Sequence, residues 1–145
     1  MIQEIKILLV EDNEGDIKLT TQALQKARVG NGINVVKDGE KALKYLRKEG
    51  IYKDTETPDL ILLDINLPKV DGIEVLASIK SDNLLRLIPI VMLTTSDSEK
   101  DILNSYSNHA NCYIVKPVDF KKFIEVVQQI KDFWITIVKL PKHQT

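Results

Sequence analysis

At 145 residues, 43% of them hydrophobic, the chain has material for one well-filled domain, residues 1–145, and no room for a second functional one such as an output domain. Its formal net charge of -1 gives no general attraction to nucleic acid or to anionic membranes, so neither is expected as a partner. A single cysteine excludes an intramolecular disulfide, and the absence of a basic start, a cleavage site or a long apolar run makes the cytoplasm the expected location.

Residues 5 to 10 form a short apolar run broken only by Lys6, and Glu11 and Asp12 follow it at once. Asn13 can cap a helix over residues 14 to 28, with Ile17, Leu24 and Ala27 toward the core and Gly30-Asn31-Gly32 as its stop. A brief strand at 33–36 leads through Asp38-Gly39 into a helix carrying Ala42, Leu43 and Leu46. A polar connection over 49–58, long for its kind, comes next. Leu60 to Leu63 is an unbroken apolar run, suited to a strand buried on both faces, and it ends in Asp64. Asp71 and Glu74 are spaced as a capping box for the third helix, with Ile73, Val75, Leu76 and Ile79 along it. The run 89–93 ends in Thr94, Thr95 and Ser96, and a helix through Ile102, Leu103 and Tyr106 follows. Tyr113-Ile114-Val115 forms the fifth strand and stops at Lys116-Pro117. The last helix, from Asp119, has Phe120, Phe123, Ile124, Val127, Ile130, Trp134, Ile137 and Val138 at helical spacing. Cys112 is expected as a small buried filler.

Five strands alternating with five helices, the strands too apolar to face water, predict an α/β fold: a doubly wound, flavodoxin-like parallel sheet of order 2-1-3-4-5. Its switch point lies between strands 1 and 3, which brings Glu11, Asp12 and Asp64 into one crevice at the carboxyl ends, flanked by Thr94 and Lys116. Three carboxylates so placed repel one another, and a hard divalent cation, Mg2+, relieves them while leaving positions for a phosphoryl oxygen. Lys116 can offer a point charge and Thr94 a hydroxyl to the same group, leaving the Asp64 carboxylate to attack phosphorus.

These residues resemble the receiver domains of two-component response regulators. The likeness rests on Leu8-Leu9-Val10-Glu11-Asp12, Leu62-Leu63-Asp64-Ile65-Asn66-Leu67-Pro68 with Asp71-Gly72, Pro89-Ile90-Val91-Met92-Leu93-Thr94, and Tyr113-Ile114-Val115-Lys116-Pro117, in family order and spacing. The resemblance implies that Asp64 accepts phosphate from a phosphohistidine of a sensor histidine kinase. It implies that Asp12, Asp64 and the Asn66 main-chain carbonyl bind Mg2+, with Glu11 acting through a water. It further implies that Lys116 and Thr94 hold the phosphoryl group, that the Lys116-Pro117 bond is cis, and that Thr94 and Tyr113 switch the face of helix 4, strand 5 and helix 5. Thr95 stands where the family usually has Ala or Gly, and with Asn66 and Ser96 it is expected to tune access and dephosphorylation.

The tail, including Asp132-Phe133-Trp134 and Lys139-Leu140-Pro141, resembles stand-alone receivers that partner bacterial phytochromes, which makes a phytochrome-type kinase the expected donor. Val126 and Phe133 lie off the main stripe of the extended last helix and tail, residues 119–145; with Trp134 they form a candidate homodimer surface. Asp59 and Asp71 are expected as a loop residue and a helix cap, and His109 and His143 as ligands of nothing. A flavodoxin-type electron carrier would want a hydroxyl- and glycine-rich phosphate loop where Glu11, Asp12, Glu14 and Asp16 stand. An aspartyl phosphatase would want an acid at position 66, held here by Asn. The alternatives that stay open are a binding module acting without phosphorylation and a phosphate sink for the kinase. The downstream target is not named by the sequence.

Overall fold

The computed structural model describes residues 5–27, 32–95 and 112–127. Five strands, β1 (Ile7–Val10), β2 (Ile33–Val36), β3 (Leu60–Asp64), β4 (Ile90–Thr94) and β5 (Cys112–Val115), form one parallel sheet in the order β2-β1-β3-β4-β5. Every residue of β1, β3 and β4 is buried, because parallel strands carry helices over both faces. Side chains alternate across the sheet with period two: Leu8, Val10, Ile61 and Leu63 enter one core, while Ile7, Leu9, Leu60 and Leu62 enter the other.

The helices are α1 (Glu14–Lys26), α2 (Gly39–Arg47), α3 (Gly72–Lys80) and α4 (Phe120–Val127). The first core is closed by α2 and α3 through Ala42, Leu46, Val75, Leu76 and Ile79, the second by α1 and α4 through Ala23, Leu24 and Phe123. The expectation of five helices is corrected: the described residues form four α-helices, not five. The expected helix through Ile102, Leu103 and Tyr106 lies outside the described residues, and α4 corresponds to the last predicted helix. Two 3-10 turns, Gly50–Tyr52 and Leu85–Leu87, lie in the connections that lead into β3 and β4. The first belongs to the long 49–58 connection, which is tied down by the Thr55 hydroxyl donating to the carbonyls of Tyr45 and Tyr52.

Helix starts follow the cap chemistry. Asn13, Asp38 and Asp71 accept from the amides of Asp16, Lys41 and Glu74 at 2.9, 2.7 and 3.0 Å. Asp119 accepts from Lys122 N–H at the start of α4. Two glycines let helix starts press on the loop after β3. A methyl group at Gly39 would stand 1.9 Å from the Val70 carbonyl oxygen, and one at Gly72 would stand 2.1 Å from that of Asp64.

Candidate active site

Strand register sets the site. Val10 pairs with Leu63, Asp64 with Leu93, and Thr94 with Val115, so β1, β3, β4 and β5 all end at one edge. Beyond that edge Glu11 N–H donates to Val36 O at 3.1 Å, Ile65 N–H to Leu93 O at 3.1 Å and Lys116 N–H to Thr94 O at 2.7 Å. The polar residues that follow each strand are thereby fixed in one plane by backbone hydrogen bonds.

Glu11, Asp12 and Asp64 each bring a carboxylate oxygen to within 4.8 Å of the others. Glu11 and Asp64 are buried while Asp12 faces solvent, an arrangement open on one side. Lys116 reaches over the two buried members, its Nζ 2.7 Å from Glu11 Oε2 and 3.3 Å from Asp64 Oδ1. The first contact is an ion pair by distance that leaves Glu11 Oε2 without a directed hydrogen bond among the described residues. Glu11 Oε1 accepts from Asn13 N–H at 3.2 Å, and Asp64 Oδ1 from Asn66 N–H at 3.4 Å.

Crowding appears in the acid strengths. Burial first, and the Glu11 carboxylate second, push the Asp64 carboxyl up to about 7 against the opposing pull of Lys116. For Lys116, burial works against the charged form, but its contacts with Glu11 and Asp16 and the charges of Asp64 and Glu11 outweigh it and raise the ammonium above its ordinary range. One lysine does not neutralise three carboxylates, and this excess of negative oxygen is the donor set a hard divalent cation takes.

Thr94 is fully buried, and its hydroxyl has no hydrogen-bond partner among the described residues. Thr95, one residue on, is exposed. Tyr113 is half-buried against the α2/α3 core, and the Lys116-Pro117 bond is cis. Asn66 is exposed in the loop after β3. Val126 is partly buried against the second core, where its carbonyl lies 3.7 Å from the half-buried Cys112 Sγ, so the core covers part of what the helical stripe left free. Burial raises the Cys112 thiol. Ser96, Phe133 and Trp134 lie outside the described residues.

Sequence reasoning missed Asp16. Its Oδ2 lies 3.0 Å from Lys116 Nζ, a third carboxylate on the same ammonium. The available signal was the Asn13 cap, which fixes Asp16 as the third residue of α1 but does not say how that helix is seated over the sheet.

The model of the response regulator receiver domain matches residues 7–128. The chain is 44% identical over 135 residues to the response regulator Rcp1 of Synechocystis sp., covering 93% of this chain and 92% of that protein. A crystal structure of the Mn(2+)-bound form of Rcp1 superposes with a TM-score of 0.72 at 43% identity, over 90% of this chain and 94% of that one. The bacteriophytochrome response regulator AtBRR is 45% identical with a TM-score of 0.84, over 91% and 96% of the two chains. The phosphorylated cyanobacterial phytochrome response regulator RcpA is 50% identical with a TM-score of 0.75, over 92% and 95%.

Proposed function

The chain belongs to the family of response regulator receiver domains, and from that membership we propose that Asp64 is its phosphoacceptor. The observation that carries the reading is the meeting of Asp64 with Lys116 and with the Glu11 and Asp12 carboxylates at one sheet edge. One Asp64 carboxylate oxygen attacks the phosphorus of a kinase phosphohistidine. A P–O bond forms as the P–N bond breaks, and its electron pair leaves with the imidazole nitrogen. Lys116 holds one phosphoryl oxygen, and the buried Thr94 hydroxyl, without a hydrogen-bond partner among the described residues, takes another.

Mg2+ fits the residues present: Asp12, Asp64 and the Asn66 main-chain carbonyl would hold it, with Glu11 acting through a water. Bound there, it supplies the positive charge that three carboxylates and an incoming phosphoryl group lack. The chain's own part is to keep these oxygens converged and largely out of water, which strengthens every charge interaction among them.

Residues 1–145 act as a single receiver unit in this reading. The names of the similar phytochrome-partnered regulators support a phytochrome-type histidine kinase as the donor. Engagement of Thr94 and Tyr113 by the phosphoryl group shifts the β5 side of the molecule between two packings, and the signal leaves through that face to a protein partner. Val126, Phe133 and Trp134 contribute to a homodimer contact nearby. Thr95, Asn66 and Ser96 set access to the phosphoryl group.

Among the described residues no helix is long and apolar enough to cross a membrane. The test is intact mass after incubation with Mg2+ and a small acyl phosphate, repeated with a histidine kinase. A gain of one phosphoryl group, labile to base and lost in Asp64→Asn, is expected. No gain with either donor would overturn the reading in favour of a module that binds without phosphorylation.

A further inference from the structure

Asp16 stands outside the carboxylate trio yet shares its lysine. Lys116 Nζ lies 2.7 Å from Glu11, 3.0 Å from Asp16 and 3.3 Å from Asp64, so the ammonium spends as close a contact on Asp16 as on the site it serves. The three acids differ in kind. Glu11 and Asp64 belong to the set that converges for a cation, and Asp16 does not. The side chains of Glu11 and Asp64 keep 0% and 3% of their surface in solvent, that of Asp16 keeps 30%. Asp16 is also carried on a rigid turn, since its amide donates to the Asn13 cap at 2.9 Å.

A divalent cation among Glu11, Asp12 and Asp64 takes up the oxygens that Lys116 rests on, and it repels the ammonium across a few ångströms of poorly hydrated space. An ammonium with no other counter-ion would resist that cation. With Asp16 beside it, the lysine keeps a carboxylate the cation does not use.

We propose that Asp16 is a positioning residue for Lys116, retaining the ammonium when a divalent cation occupies Glu11, Asp12 and Asp64 and thereby raising the affinity of that trio for the cation. The proposal rests on the metal site described above. It adds a residue that acts only through the lysine.

The test is a double-mutant cycle on the full chain, with Mg2+ binding followed by titration calorimetry in the absence of any phosphodonor. Asp16→Asn is expected to weaken Mg2+ binding by about three- to thirtyfold when Lys116 is present, within the range typical of coupling between contacting residues. In a Lys116→Met background the same substitution is expected to change binding by much less, and Asp16→Glu is expected to recover most of the lost affinity. Equal weakening in both backgrounds would mean that Asp16 acts on the cation directly, and no weakening in either would mean that it does not act; both overturn the proposal. Failure of the unsubstituted protein to bind Mg2+ at all would overturn the metal site, and this inference with it.

Discussion

Gly72 approaches the Asp64 carbonyl so closely that a methyl group on it would stand 2.1 Å from the oxygen, and its amide donates to Ile65 O at 2.8 Å. The neighbour is backbone, with no flexible side chain to give way. Gly72→Ala is therefore expected to displace the end of β3 and to cost about 1–3 kcal/mol of stability, the usual range for overpacking. Because small misplacements of a reacting group are costly, phosphorylation of Asp64 is expected to slow by roughly tenfold or more. Urea unfolding and phosphorylation time courses check the two effects; an unchanged stability would mean that the start of α3 moves aside at no cost to admit the methyl group.

Asp64 itself should report on metal-free electrostatics. Its carboxyl is raised to about 7 from an ordinary value of 3.8, by burial and then by Glu11. Between those values the folded chain binds more protons than the unfolded one, so this group's contribution to stability is present at acid pH and is lost as pH rises through about 7. In EDTA, Asp64→Asn is expected to raise the melting temperature at pH 8, by the equivalent of at most about 4 kcal/mol, with the gain shrinking toward pH 4. Added Mg2+ should narrow the gap by stabilising the unsubstituted protein. A gain that did not vary with pH would assign it to something other than this carboxyl.

Thr94 separates resting stability from switching. Its hydroxyl is buried with no hydrogen-bond partner among the described residues, a condition that costs stability. Thr94→Val keeps the shape and removes the orphan, so the unphosphorylated protein should gain about 1 kcal/mol. The spectral or chromatographic change that follows phosphorylation should be lost. A destabilised variant would reveal a partner for the hydroxyl.

Thr95 is exposed at the end of β4, beside the buried Thr94. Thr95→Ala is expected to speed both phosphorylation by small donors and loss of the phosphoryl group to water by a few-fold, a barrier change under about 1 kcal/mol. The same rates in both proteins would remove any steric role for Thr95.

The central strands were readable because β1, β3 and β4 are continuous apolar runs alternating with helical patterns, which suit a sheet covered on both faces, and the order followed from that fold class. The meeting of Glu11, Asp12 and Asp64 then followed from topology, since the switch point joins the ends of β1 and β3. Asp16 was not readable in the same way. It lies on a helix, and its reach to Lys116 depends on how α1 is seated over the sheet, which neither spacing nor composition states. Phe120 makes the same point in reverse: helical spacing put it on the buried stripe, yet as the first residue of α4 it is 42% exposed. The 3-10 turn at Gly50–Tyr52 escaped notice because single turns carry too few residues to show a period.

Gly39 meets Val70 as closely as Gly72 meets Asp64. Helix α2 is thus braced on the loop that leaves β3, two connections far apart in sequence meeting as one collar beyond the end of the strand that carries Asp64. For engineering, the collar is the smallest portable unit. Grafting residues 64–72 onto another α/β scaffold would transplant the acid without its brace, whereas moving 38–39 along with them would carry the abutment that keeps the loop from relaxing outward.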